Sequence, residues 1–195
     1  GTMPTNTEIE VLDGTVSISS EAFQNYSQLT KIILPNSVTT IGESAFSGCS
    51  SLIDFTIGDG LTVIGNDAFI NCNNLNNIYV SSNERMLTVL FGEAISYGEG
   101  QANPFALAKH LYIGDTEVKE LAIPSDIIEI NNGFFYNFGK NIVSVTIPES
   151  VISINEGAFQ DWTNLTSVSI GSSVKSIGVG AFKSCISLTE IEIPI

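Results

Sequence analysis

The chain has 195 residues, 43% of them hydrophobic and 14% charged, a balance that excludes disorder and provides material for a sizeable core. Its 21 acidic residues against 7 basic ones give a formal net charge of -14, so a phosphate backbone or an anionic membrane surface would be repelled. No apolar run approaches the roughly 20 residues of a membrane span, so neither nucleic acid nor direct membrane insertion is expected. The opening Gly1-Thr2-Met3-Pro4 reads as the start of an expressed fragment rather than as an export signal.

In chain order, the first recurring unit opens at Ile18-Ser19 and runs through Ala22-Phe23, Tyr26, Leu29 and the alternating pair Ile32/Leu34 to Pro35. A second apolar stretch, Val38 to Ile41, leads to Gly42, and the unit restarts. Ala22-Phe23 recurs as Ala45-Phe46 and, after the same interval, as Ala68-Phe69. Phe134-Phe135, Ala158-Phe159 and Ala181-Phe182 fill the same slot, the first of them about three intervals beyond Ala68-Phe69. Self-similarity at such a period marks a solenoid.

Each slot has a physical task. Ile18, Ile41, Ile64, Ile130, Ile154 and Ile177 stand five residues before the repeat Phe. They are followed by Ser19, Gly42, Gly65, Asn131, Asn155 and Gly178. Gly and Asn tolerate positive φ, so a left-handed bend is predicted there. Leu29, Leu52, Leu75, Leu165 and Leu188 share a later slot, with Val118 and Ile142 as substitutes. Three and five residues beyond them lie Ile32/Leu34, Phe55/Ile57, Ile78/Val80, Leu121/Ile123, Val145/Ile147, Val168/Ile170 and Ile191/Ile193. Alternation at period 2 predicts a strand with one buried face, stopped by Pro35, Pro124, Pro148 and Pro194, which cannot donate to a ladder. The strands are expected to form a parallel sheet down one side, with stacking covering the apolar edge of each coil.

The predicted organisation is one solenoid over residues 1–195, with regular coils at 1–80 and 118–195. Residues 81–117 break the pattern, because the step from Val80 to Ile123 falls slightly short of two full repeats. Met86 to Phe91 suits a strand, Gly98 to Pro104 a loop, and Phe105 to His110 a helical turn. Leu111-Tyr-Ile113 and Val118 flank Gly114-Asp115-Thr116-Glu117, which reads as a tight hairpin. The break is either a functional loop or a neutral insertion.

Ala45-Phe-Ser-Gly-Cys-Ser-Ser-Leu52 and Thr146-Ile-Pro-Glu-Ser-Val-Ile-Ser-Ile154 closely resemble the BspA-like class of leucine-rich repeats. The resemblance covers roughly residues 9–80 and 111–195. It implies a mainly β leucine-rich-repeat solenoid, a right-handed superhelix with a parallel β-sheet on one face and about 23 residues per coil. It further implies a secreted or surface-attached bacterial protein and a binding role without catalysis. The motif is a packing motif, so it carries over no functional residues. Comparable LYxxG hairpins recur in that class.

The search for chemistry returns little. Cys49, Cys72 and Cys185 lie three residues after the repeat Phe, in a slot held elsewhere by Tyr26, Phe138 and Trp162. A slot shared with aromatics is a buried one, so free structural thiols are expected ahead of a Cys49–Cys72 disulfide or a reactive nucleophile. The single histidine, His110, reads as a loop residue, and no Gly-x-Ser-x-Gly elbow is present to pair with it. CxxC, HExxH, Walker A and GxGxxG patterns are missing. Calcium stays open because Asp and Glu are hard ligands, although no EF-hand loop or GGxGxD repeat appears. No catalytic residue, cofactor or metal ligand is therefore assigned.

Function is left to residues the repeat does not fix. If Ile32 and Leu34 point inward, their neighbours point outward. That predicts an exposed column of Lys31, Ile33, Asp54, Thr56, Asn77, Tyr79, Glu120, Ala122, Ser144, Thr146, Ser167, Ser169, Glu190 and Glu192 on the concave sheet. Tyr79 is the favoured single contact, because Tyr is enriched in interface hot spots. The expected role is an extracellular or cell-surface adhesion module holding a protein such as host matrix or a neighbouring cell's surface. The alternative is a spacer within a larger surface protein, suggested by a chain that stops at Pro194-Ile195 without a polar cap. A glycan-binding role ranks third. Oligomeric state is not legible.

Overall fold

A computed structural model describes residues 6–81, 96–97, 104–130 and 138–192. The architecture is a mostly β parallel solenoid. The long strands β1 (Thr7–Glu10), β3 (Leu29–Ile33), β5 (Asp54–Ile57), β7 (Asn77–Val80) and β9 (His110–Ile113) form one parallel sheet in that order. β9 turns back into β10 (Thr116–Glu117), its antiparallel partner and the end of that sheet. A second sheet then runs β11 (Glu120–Ala122), β13 (Ser144–Ile147), β15 (Ser167–Ile170) and β17 (Glu190–Glu192). Short strands stack on another side of the coils. β2 (Ser17–Ile18), β4 (Thr40–Ile41), β6 (Val63–Ile64) and β8 (Ser96–Tyr97) form one set; β12 (Glu129–Ile130), β14 (Ser153–Ile154) and β16 (Ser176–Ile177) form the other.

The repeat period becomes a ladder. Ile32 pairs with Phe55, Phe55 with Ile78, and Ile78 with Leu111; in the second half Val145 pairs with Val168 and Val168 with Ile191. Leu29, Ile32, Ile41, Phe46, Leu52 and Phe55 are fully buried, and among the described residues every buried side chain in the core is apolar. Each such side chain contributes about 1.5–3 kcal/mol on burial. The repeat Phe rings stack coil on coil: Phe23 on Phe46 and Phe46 on Phe69 at 5.3 Å, and Phe159 on Phe182 at 5.2 Å. Threonines add ladders on the flanks, with the Thr62 hydroxyl donating to Thr39 O (3.1 Å) and the Thr166 hydroxyl to Val143 O (3.0 Å).

The left-handed bend falls two residues later than the sequence suggests. Ser19, Gly42, Gly65, Asn155 and Gly178 do not take positive φ. Asn131, the Phe134-Phe135 slot and the terminal Ile193-Pro194 lie outside the described residues. The left-handed residues are Glu21, Ser44, Asp67, Gly157 and Gly180, and again Asn25, Gly48, Asn71, Asp161 and Ser184 on the far side of the repeat Phe. The Ala-Phe turn is thus bracketed by two left-handed positions. The glycine slot answers a different need, close approach. A Cβ on Gly65 would sit 2.5 Å from the Glu43 nitrogen, and one on Gly42 2.4 Å from that of Ser20. Ser19 can carry a side chain because β2, beside it, is an edge strand. A related fit holds Trp162, fully buried in the cysteine slot, whose indole fills the space a Cβ on Gly139 would need.

The break in the repeat is resolved by register. His110 pairs with Asn77, a step along the chain nearly half as long again as the step from Asp54 to Asn77. The expected strand at Met86 to Phe91 lies outside the described residues, as does the expected loop apart from Pro104. A 3-10 turn spans only Pro104–Ala106, and His110 is not a loop or helical residue but the first residue of β9. Leu111-Tyr-Ile113 repeats the apolar-Tyr-apolar pattern of Ile78-Tyr-Val80, which draws it into the sheet. The expected hairpin forms, with Gly114 at φ 56 in its turn.

Gly65→Ala should lower stability by about 1–3 kcal/mol, the usual cost of overpacking. Ser19→Ala, at the same slot on the edge coil, should change it by less than about 0.5 kcal/mol. Urea denaturation followed by circular dichroism compares the two; equal effects would contradict the close-approach explanation.

Candidate functional site

The main sheet presents two outward columns. Register places Glu8, Lys31, Asp54, Asn77 and His110 in one, and Glu10, Ile33, Thr56, Tyr79 and Tyr112 in the other. In the second half the columns continue as Glu120, Ser144, Ser167, Glu190 and as Ala122, Thr146, Ser169, Glu192. Every residue named from the alternation thus stands on this face, but in two groups, because β10 ends one sheet before β11 begins the next. Four residues escape the sequence reading. Glu8 and Glu10 alternate with Thr7 and Ile9 ahead of the first recognised unit, and His110 and Tyr112 sit in the segment that reads as irregular. The period-2 pattern of each is the available signal.

The chemistry concentrates where β7 meets β9. The Tyr79 and Tyr112 rings stack with centroids 4.8 Å apart and planes 16° off parallel, a spacing that matches the strand separation of a sheet. Partial burial, then the neighbouring Asp54 charge and Tyr112, push the Tyr79 hydroxyl above its ordinary value. Asp54 is itself fixed, since Asn77 donates to its carboxylate at 2.7 Å and Asn76 donates to Asn77 at 2.8 Å. One position along, the His110 ring meets the Glu117 carboxylate at 2.6 Å, and Lys119 reaches the other oxygen at 2.8 Å. Partial burial raises the Glu117 carboxyl, but the bonds from His110 and Lys119 outweigh it and hold the group below the usual range. The result is a half-exposed aromatic pair flanked by an ordered polar array. The second half of the face offers hydroxyls and carboxylates without aromatics.

The cysteines are buried chemistry. Each Sγ donates to the carbonyl of the repeat Phe one coil back: Cys49 to Phe23 and Cys72 to Phe46 at 3.1 Å, Cys185 to Phe159 at 3.2 Å. All three are free thiols. Burial pushes the Cys49 thiol up to about 11 and the Cys72 thiol up to about 12, and it raises that of Cys185, which is only partly buried. A nucleophile needs the opposite shift. Among the described residues, no group of three His, Cys, Asp or Glu side chains is placed to hold a metal ion.

Coils of about 23 residues with Leu, Ile and Phe ladders, a parallel sheet on one side and, among the described residues, no helix beyond short 3-10 turns define a leucine-rich-repeat protein. A model of the BspA type leucine rich repeat region matches residues 3–96 and 107–195 in six copies, and the chain belongs to that family. No protein with a curated description matches it. Among solved structures, the leucine-rich-repeat protein TpLRR of T. pallidum is similar at 24% identity with a TM-score of 0.51, covering 93% of this chain and 78% of that one. A leucine-rich cell surface protein of Faecalibacterium prausnitzii is 21% identical with a TM-score of 0.45, over 96% of this chain and 60% of its own. The pneumococcal vaccine antigen PcpA is 16% identical with a TM-score of 0.48, over 96% of this chain and 50% of its own.

The thiols give a direct test. At pH 8 a thiol titrating near 12 is ionised in only about one molecule in ten thousand. A thiol reagent should therefore modify Cys49 and Cys72 no faster than the protein unfolds, and Cys185 first; rapid labelling of Cys72 in the folded chain would contradict the packing. The sign of the shift also fixes a pH dependence. The unfolded chain ionises its thiols first, so stability should fall as pH rises from about 9 toward 12, and Cys72→Ala should flatten that decline.

Proposed function

We infer that this chain is a non-enzymatic binding module of an extracellular or cell-surface protein, and that it holds a protein partner on the outward face of its main sheet. The observation that carries this reading is the Tyr79–Tyr112 stack at 4.8 Å. The packing motif consumes the other large aromatic rings described above, and these two are left at the surface beside a fixed carboxylate and a histidine. Tyr is favoured at interface hot spots because it brings a large, rigid, amphipathic surface at low entropic cost. The non-enzymatic part of the reading is supported by membership of a repeat family defined by packing positions and by thiols whose ionisation burial suppresses. Family membership and the acidic surface fit an exported protein that meets host matrix or another cell.

Binding to a panel of extracellular-matrix proteins and intact cells tests this. Saturable binding should weaken by at least about tenfold in Tyr79→Ala, the loss typical of a hot spot, and stay within about twofold in Ser169→Ala on the same face. Binding to no member of the panel would turn the reading toward a structural spacer that presents neighbouring parts of a larger protein. Turnover of any substrate, abolished by an acidic substitution, would overturn the non-enzymatic reading.

A further inference from the structure

Among the described residues, the main face is interrupted between β10 and β11, and the interruption leaves main-chain hydrogen-bonding groups open. In regular coils the residue at the second outward position gives its carbonyl to the coil before it. Ile33 accepts from Val11 (2.9 Å), Thr56 from Leu34 (3.0 Å) and Thr146 from Ile123 (2.9 Å). Ala122 holds the same position, in register with Thr146, but among the described residues no strand precedes β11 in its sheet. The peptide groups of Glu120 and Ala122 on that side therefore face the break, and both residues are exposed. Across from them, the Val118 amide donates to Leu111 O at 2.8 Å. Antiparallel alternation then turns the main chain of Glu117 away from β9 and toward the same gap.

The gap is an open cleft of about 480 Å³ lined by Ile113, Thr116, Glu117, Val118, Lys119 and Glu120. Asn141, which donates to Lys109 O at 2.7 Å, links the two halves of the stack. Residues of β10 and β11 line this one cleft together with the apolar side chains of Ile113 and Val118. An unpaired edge is a template for another strand. Between β1 and β9, and between β13 and β15, each strand edge is covered by the next coil; here the hairpin prevents it.

We propose that this cleft captures an extended, basic segment of a partner protein as an added strand on the free edge of β11. Main-chain hydrogen bonds to Glu120 and Ala122 supply the pairing, in the manner of β-strand addition. Apolar residues of the segment rest on Ile113 and Val118. Lysine or arginine at the alternate, outward positions meets Glu120, which lines the cleft and has no ion-pair partner among the described residues. The Glu117 charge is already shared by His110 and Lys119, and the chain as a whole carries -14. A basic segment is therefore selected over an acidic one. This inference uses backbone groups and does not rest on the tyrosine pair.

Fluorescence polarisation with a labelled, capped heptapeptide alternating valine and lysine tests it on the intact chain. The peptide should bind saturably, and the counterpart alternating valine and glutamate should bind at least about tenfold more weakly. Methylating alternate backbone nitrogens of the lysine peptide should abolish binding. Ala122→Pro removes the amide that faces the cleft while leaving Leu121 and Ile123 to pair with β13, and it should weaken binding roughly tenfold, in line with the loss of one or two hydrogen bonds. Glu120→Lys guards against a folding defect in the proline variant: it should weaken the lysine peptide and strengthen the glutamate peptide. Tyr79→Ala should leave both affinities unchanged. No saturable binding of the lysine peptide, or equal binding by its methylated form or to Ala122→Pro, overturns the proposal. Binding lost in Tyr79→Ala but kept in Ala122→Pro would place the peptide on the tyrosine face, overturning the cleft assignment while leaving the reading of that face intact.

Discussion

The structure depends on one constraint: each coil exposes an apolar edge that only the next coil can cover, at the distance of a β-ladder. That distance is short enough to dictate composition. It lines up Phe46 under Phe69 and Ile32 beside Phe55, and it forbids a side chain at Gly42, Gly65 and Gly178, where the backbone of the preceding coil already occupies the space. Larger residues are accommodated by pairing them with absences, as Trp162 is with Gly139. Because neighbouring coils supply most of each other's stability, the stack resembles a one-dimensional array more than a globule.

The same constraint explains where function can reside. Positions fixed by packing, the cysteines included, are buried, apolar and chemically quiet. The outward columns are free to vary, and they vary along the stack: aromatic and hydrogen-bonded near β7 and β9, hydroxyl-rich and acidic beyond β11. The hairpin that divides these regions is also the place inside the stack, among the described residues, where the ladder leaves a strand edge unpaired. An irregularity in a regular array thus supplies two different surfaces, a side-chain face and a backbone edge.

Much of this is legible in the residues. The spacing of Ile41, Phe46, Cys49, Leu52, Phe55 and Ile57 yields period, strand position and burial together, because each slot repeats under the same physical demand. The bend is harder to place for a reason. Gly42 and Gly65 read as signs of positive φ, yet they answer close approach. The left-handed residues change type from coil to coil, Glu21, Ser44, Asp67 and Gly157 in one slot and Asn25, Gly48, Asn71 and Asp161 in the other, so neither slot shows a constant residue. His110 and Tyr112 escape a sequence reading because the longer coil before them puts them out of phase with the regular period. Their period-2 pattern marks a strand, and pairing with Asn77 and Tyr79 fixes its register. The open edge of β11 has no sequence signal at all, since main-chain groups look alike in every residue.

The central claim is that the ladder runs in register through β9, breaks at the hairpin and restarts at β11. Amide hydrogen exchange of the free protein tests it most directly. The amides of Ile78, His110, Ile123 and Val145 should be strongly protected, His110 through its bond to Asn76 O, while those of Glu120 and Ala122 exchange quickly on either side of protected Leu121. Protection at Ala122 equal to that at Ile123 would mean the edge is already paired, and would contradict the account.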